Sequence, residues 1–132
     1  MDFNDYQSQS YVAIQEHENN KEEVMHWAIG LGEEAGEALS VIKHRYYGGS
    51  YDIEDLVSEL GDVLWYISSL CTANGIKLED VAKYNVERIY HRYPELAFDD
   101  VRSKSRHELD CDFRESGAAR IIMEKIKAEA KK

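Results

Sequence analysis

The chain has 132 residues, the length of a single domain, and its 43% hydrophobic and 32% charged residues are typical of a globular protein. Its 26 acidic and 16 basic residues give a net charge of −10, which argues against binding a nucleic-acid polymer or an anionic membrane. No apolar run is long enough to cross a bilayer, and the polar residues 1–10 predict no secretory signal. The two cysteines form neither a disulfide framework nor a zinc motif, so we expect a cytoplasmic protein.

Apolar residues recur at helical spacing, and strand signals are weak, which favours an all-α fold, a helical bundle of four to five helices. Asp52 and Ser116 are candidate N-caps, and Pro94 ends the fourth segment because proline cannot continue a helix. The predicted helical segments cover, in chain order, residues 3–17, 22–46, 53–73, 78–93 and 117–130.

The chain is predicted to divide into a core, residues 1–94, and a tail, residues 95–132. Residues 95–115 are highly charged and lack periodicity, so we predict a connection there. The last helix carries an apolar stripe opposite a basic face, and it is expected to dock on its own domain or to assemble an oligomer.

Two acidic pairs stand out on the second and third predicted helices. Glu34 with Glu37, and Glu59 with Asp62, are each three residues apart, so each pair lies on one side of its helix, bordering an apolar stripe. If the stripes pack together, four carboxylates converge, and their repulsion requires protons, basic partners or cations. An all-oxygen set suits Mg²⁺ or Mn²⁺. The alternative is that these acids simply occupy solvated faces.

The fourth predicted helix places Asn85, Arg88 and Arg92 on one face beside an apolar arc. An amide and two guanidinium groups suit phosphate oxygens or sugar hydroxyls. The alternative is that both arginines pair with surface acids such as Glu87 or Glu95.

Together these residues resemble a known family. E-E-A-G-E at residues 33–37, followed after 21 residues by E-L-G-D at residues 59–62, resembles the E-E-x-x-E…E-x-x-D motif of MazG-like nucleoside triphosphate pyrophosphohydrolases. N-V-E-R-I-Y-H-R-Y-P at residues 85–94 is similar to the N-x-x-K…R-Y-P stretch of that family. One departure is Arg88, where the family often has lysine, and another is the tail, which the motifs do not cover.

The resemblance implies an all-α, MazG-like NTP pyrophosphatase fold that assembles as a homodimer or homotetramer. It also implies Mg²⁺-dependent cleavage, with Mn²⁺ as a substitute, of a nucleoside triphosphate to the monophosphate and pyrophosphate. Glu33 matches the first acid of the motif, and Glu33 or Glu37 is the candidate proton acceptor. The implied metal ligands are Glu34, Glu37, Glu59 and Asp62, and the implied phosphate or sugar contacts are Asn85, Arg88 and Arg92.

The nucleotide base needs a stacking surface, and aromatic residues beside the acidic pairs offer one. Trp27 and Tyr66 are the predicted substrate contacts, although both also suit an ordinary core. Further candidates, if the first helix packs over the site, are His26, Tyr6, Gln7 and Tyr11.

Three other functions are compatible with parts of the pattern. A di-iron carboxylate bundle uses paired E-x-x-H motifs, but Glu23 and His26 supply only one copy. A non-enzymatic helical interaction module would leave the acidic faces solvated. A phosphoribosyl-ATP pyrophosphohydrolase belongs to the same superfamily as the resembled enzymes.

Overall fold

The structure, a computed structural model, describes residues 1–11, 17–50 and 52–130. Over these ranges the chain is helical and has no strand, which confirms the all-α prediction. None of these helices is long and apolar enough to cross a membrane. The helices are α1 (Phe3–Ser10), α2 (Asn20–Tyr46), α3 (Ile53–Ala73), α4 (Leu78–Arg92), α5 (Asp100–Lys104), α6 (Arg106–Glu115) and α7 (Gly117–Glu129).

Local capping chemistry sets several of the helix boundaries. The Asp52 side chain accepts a hydrogen bond from the Glu54 amide at 3.0 Å, and Ser116 accepts one from the Ala119 amide at 3.2 Å, as predicted. The first helix ends at Ser10, whereas the predicted segment continues to residue 17. Residues 12–16 of that segment lie outside the described residues.

The prediction of four to five helices is wrong, because the described residues form seven. The two additional helices, α5 and α6, lie in residues 95–115, which were predicted to be a connection. Asp99 caps α5 by accepting a hydrogen bond from the Arg102 amide at 2.7 Å, and Phe113 of α6 is buried, with 2% of its surface exposed. The high charge of this segment hides its helical periodicity, while the Asp99 cap of α5 and the buried ring of Phe113 on α6 stabilise the two helices.

The chain divides into two compact units, and the first comprises Met1–Asn74. The helices α2 and α3 run antiparallel, since Asn20 at the start of α2 donates a hydrogen bond to the Ala73 carbonyl at the end of α3, at 2.7 Å. Ser10 connects α1 to α3 through two hydrogen bonds. Its hydroxyl oxygen lies 2.8 Å from the Ser68 hydroxyl oxygen, and its backbone carbonyl accepts a hydrogen bond from the Trp65 indole N–H at 2.9 Å. The predicted apolar stripes are only partly covered, because α1 is the one other described helix of this unit and it packs on α3.

The second unit comprises Gly75–Lys132 and contains α4 to α7. Its buried side chains include Leu78, Phe113 and Ile126. Asp80 is almost fully buried, with 1% of its surface exposed, and it accepts a hydrogen bond from the Lys125 ammonium group at 2.6 Å. A buried carboxylate needs such a partner, so this pair joins α7 to α4. The C-terminal helix therefore docks within its own unit.

Candidate metal centre and active site

Three acids of the predicted four form a tight cluster in the first unit. Glu34 of α2 and Glu59 and Asp62 of α3 each place one carboxylate oxygen within 4.8 Å of the other two. Glu34 and Glu59 are half-buried, and Asp62 is exposed. The antiparallel pairing of α2 and α3 brings these groups together, because the acid-bearing turn of one helix faces that of the other.

Glu37 adjoins this cluster through Glu59. The pKa of Glu59 is raised by burial, then by the negative charges of Glu37, Asp62 and Asp55, and also by a side-chain hydrogen bond with Glu37. A hydrogen bond between two carboxyl groups requires a shared proton, which explains why the contact favours the protonated form. Glu37 therefore adds its negative charge to this group of acids, although it lies outside the tight trio.

The neighbouring negative charges also raise the pKa of Glu34. Its pKa is raised by burial and then by the charges of Glu37, Asp62, Glu59 and Glu33. Glu33 is exposed, and its negative charge still contributes to the raised pKa of Glu34. A cluster of carboxylate oxygens with unbalanced negative charge, two of its three residues half-buried, has the chemistry of a site for a hard divalent cation. The residues present fit such an ion.

Aromatic side chains surround Trp27 beside the acids. The Trp27 ring is 1% exposed, and its centroid lies 5.3 Å from that of Trp65 and 5.9 Å from that of Tyr66. His26 is also packed on Trp27, at 4.7 Å between centroids. This burial favours a packing role for Trp27. A Cβ atom at Gly30 would overlap the Tyr66 ring, so this glycine, which sequence reasoning missed, allows the aromatic cluster to close.

Tyr66 and Tyr6 both lie close enough to the acids for the negative charges to raise the pKa of their hydroxyl groups. The pKa of Tyr66 is raised by burial and then by the charges of Glu34, Glu33 and Asp62. The pKa of Tyr6, on α1, is raised by burial and then by Asp62. Of the further candidates on α1, Gln7 instead donates a hydrogen bond to Thr72 at 3.0 Å, while Tyr11 is 48% exposed.

The predicted substrate contacts of α4 lie in the second unit. Arg88 donates a hydrogen bond to the Asn85 side chain at 2.8 Å. Arg92 donates to both carboxylate oxygens of Asp110 on α6, at 2.7 and 2.9 Å. This pairing raises the pKa of Arg92, and it outweighs the effect of burial on Asp110, whose pKa is lowered. The alternative prediction was a pairing with surface acids such as Glu87 or Glu95, and the acid that pairs with Arg92 is Asp110.

A family comparison agrees with this geometry. The model of the MazG nucleotide pyrophosphohydrolase domain matches residues 19–97. The chain belongs to the MazG family. No curated protein and no solved structure gives a significant match.

The MazG match contains every acid of the cluster and all three predicted contacts of α4. It begins at Asn19, the residue that caps α2, and ends at Ala97, before α5. The helices α5 to α7 therefore lie outside the matched MazG domain, although α6 and α7 pack on α4 within the second unit.

The acidic cluster predicts how the stability of this MazG domain depends on pH. The pKa values of Glu34 and Glu59 are raised above 4.5, so the folded chain binds these two protons more readily than the unfolded chain does. The metal-free protein is therefore expected to lose stability as the pH rises through these pKa values and to regain it on acidification. Thermal unfolding with a chelator, at a series of pH values, measures the slope. In a Glu34→Gln, Glu59→Gln double variant the slope should flatten, and an unchanged slope would contradict this account.

Proposed function

We propose that this MazG protein hydrolyses a nucleoside triphosphate to the nucleoside monophosphate and pyrophosphate. The observation that carries the proposal is the convergence of Glu34, Glu59 and Asp62, with Glu37 adjoining them. These four acids are the proposed ligands of Mg²⁺, for which Mn²⁺ can substitute. When bound, the ion neutralises phosphate oxygens and lowers the pKa of a coordinated water.

The acids also supply the proton chemistry. A water oxygen bonds to the α- or β-phosphorus, the bridging P–O bond between them breaks, and the leaving group departs with the bonding electron pair. The water proton must go to a base, and Glu33 or Glu37 is the proposed acceptor. Glu37 is supported by its position, since it lies close enough to Glu59 for its negative charge to raise the pKa of that carboxyl group. Glu33 is supported by its exposure to water and by its charge, which contributes to the raised pKa of Glu34.

The proposed substrate contacts follow the sequence prediction. Asn85, Arg88 and Arg92 would bind phosphate or sugar oxygens, and for Arg92 this requires competition with Asp110. Tyr66 is a proposed contact because its hydroxyl lies in the field of the acids. Trp27 supports Tyr66 by packing beneath the site rather than by exposing its own ring.

We further propose that the protein acts in the cytoplasm as a homodimer or homotetramer. Both cysteines are free thiols, which suits a reducing compartment. Apolar side chains on the acid-bearing helices are more exposed than a stable surface favours, and pairing with a second copy would cover them. They include Met25 (54% exposed), Ile29 (63%), Val57 (63%) and Leu60 (52%).

A substrate panel tests the proposed reaction. All common NTPs and dNTPs, together with phosphoribosyl-ATP, are incubated with the full-length protein and Mg²⁺, and both products are quantified. We expect one pyrophosphate for each monophosphate and no release in the presence of a chelator. Selective cleavage of phosphoribosyl-ATP would assign the alternative activity, whereas no pyrophosphate from any substrate would favour a non-enzymatic helical module.

A further inference from the structure

Three arginine side chains of the second unit act on a single carboxylate, that of Asp110 on α6. Arg92 of α4 donates two hydrogen bonds to it, at 2.7 and 2.9 Å. A terminal nitrogen of Arg88, also on α4, lies 3.9 Å from an Asp110 oxygen. Arg106, the first residue of α6, adds a further positive charge that acts on Asp110. Asp110 is therefore the internal counter-ion of these arginines.

The Asp110 carboxyl group is ionised in this position. Its pKa is raised by burial, but it is lowered by the hydrogen bond and charge of Arg92 and by the charges of Arg88 and Arg106. The combined effect brings the pKa below 3.8, so the group carries a full negative charge at neutral pH.

This carboxylate comes from a part of the chain outside the matched MazG domain. The match ends at Ala97, so it includes Arg88 and Arg92 but not α6. The proposed function assigns these two arginines to phosphate or sugar oxygens. A phosphate at Arg92 would use the same positive charge as Asp110, and two anions beside one guanidinium group repel each other. Asp110 and a phosphate group are therefore competitors.

The pairing with Asp110 leaves part of each guanidinium group unused. Both hydrogen bonds come from one nitrogen of Arg92, Nη2, and not from the two nitrogens of a bidentate pair. The Nε atoms of Arg88 and Arg92 are buried without a hydrogen-bond partner among the described residues. A phosphate group in the place of the carboxylate has more acceptor oxygens for these donors. The donor set therefore fits a phosphate better than it fits the aspartate.

Asp110 can release Arg92 while α6 remains docked. The side chains of Asp110 and Arg92 are 19% and 13% exposed, so the ion pair is in contact with water. Phe113, three residues further along α6, is buried and packs on Tyr84 and His91 of α4, at 5.2 and 5.7 Å between ring centroids. Because Phe113 anchors α6 on α4, a rotation of the Asp110 side chain is sufficient to free Arg92.

We propose that Asp110 is an autoinhibitory residue, which occupies the place of a substrate phosphate at Arg92 and Arg88 and must be displaced before the phosphate binds. The proposal rests on the proposed function, which assigns these arginines to the substrate. The segment that follows the MazG domain thereby weakens the affinity for substrate.

Steady-state kinetics on the preferred nucleotide test this role. Asp110→Asn keeps the shape of the side chain and removes the competing charge, so KM is expected to fall about 3-fold or more, with a smaller change in kcat. Asp110→Ala should shift KM in the same direction, and circular dichroism establishes that both variants are folded. Asp112→Asn, an exposed acid on the same helix, changes the net charge equally and is the matched control. A raised or unchanged KM in both Asp110 variants would overturn the proposal.

A second measurement does not depend on turnover. Inorganic pyrophosphate is titrated by calorimetry into the metal-free full-length protein, in which the acidic cluster repels anions. We expect Asp110→Asn to bind it about 3-fold more tightly than the wild-type protein does, and an added Arg92→Gln change to abolish this gain. If the substrate panel shows no hydrolysis, this pattern still supports the competition at Arg92 while the proposed reaction fails. An Asp110→Asn variant without any gain in affinity would overturn the competition itself.

Discussion

Replacing Glu59 by glutamine is expected to reduce pyrophosphate release by about 10³-fold without changing the helical content. A metal ion stabilises the transition state by several kcal/mol, and each 1.36 kcal/mol corresponds to a factor of ten in rate. Glu59 is at the centre of the acidic cluster, where it faces Glu34, Asp62 and Glu37. The amide keeps the shape of the side chain but loses the charge that would hold the cation. Asp62→Asn is expected to behave in the same way.

The control for this variant is Glu54→Gln, at the exposed start of α3. It changes the net charge equally but lies outside the cluster. Circular dichroism establishes that both variants are folded, and a pyrophosphate assay compares their rates. Full activity of Glu59→Gln would contradict the assignment of Glu59 as a metal ligand. An equal loss of activity in Glu54→Gln would show that the change in net charge causes the effect.

Truncation of Trp27 to alanine is expected to lower the free energy of unfolding by about 3–5 kcal/mol, the range for large aromatic residues in a core. The ring is fully buried and contacts Trp65 and Tyr66, so its removal leaves a cavity beneath the acids. Trp27→Phe should cost less, because it fills part of that cavity and removes an indole N–H without a partner among the described residues.

Urea denaturation followed by circular dichroism measures this effect, with Tyr46→Ala as the control. Tyr46 is 81% exposed, so its truncation should change the stability by no more than about 0.5 kcal/mol. A Trp27→Ala variant of unchanged stability but strongly raised KM would show that the ring contacts substrate instead of supporting the fold.

The acidic cluster could be predicted from the sequence because helical spacing alone places each pair of acids on one side of its helix. Spacing could also predict that Glu34, Glu59 and Asp62 converge once their stripes pack. It could not predict that Glu37 lies outside this tight trio while its charge still raises the pKa of Glu59, because this depends on the rotation and offset of two helices.

Contacts between distant parts of the chain limited the remaining predictions. Asp110 pairs with Arg92 across 18 positions, and this partner lies in a segment whose charge conceals two helices. No local motif around Asp110 could have indicated this role.

Calorimetric titration of Mn²⁺ into the full-length protein tests the central claim most directly, since it measures the metal centre without assuming a substrate. We expect saturable binding to the wild-type protein near neutral pH that weakens on acidification, because protons compete for Glu34 and Glu59. The same titration should show no specific binding to Glu59→Gln. Absence of binding to the wild-type protein, or identical binding to the variant, would contradict the account.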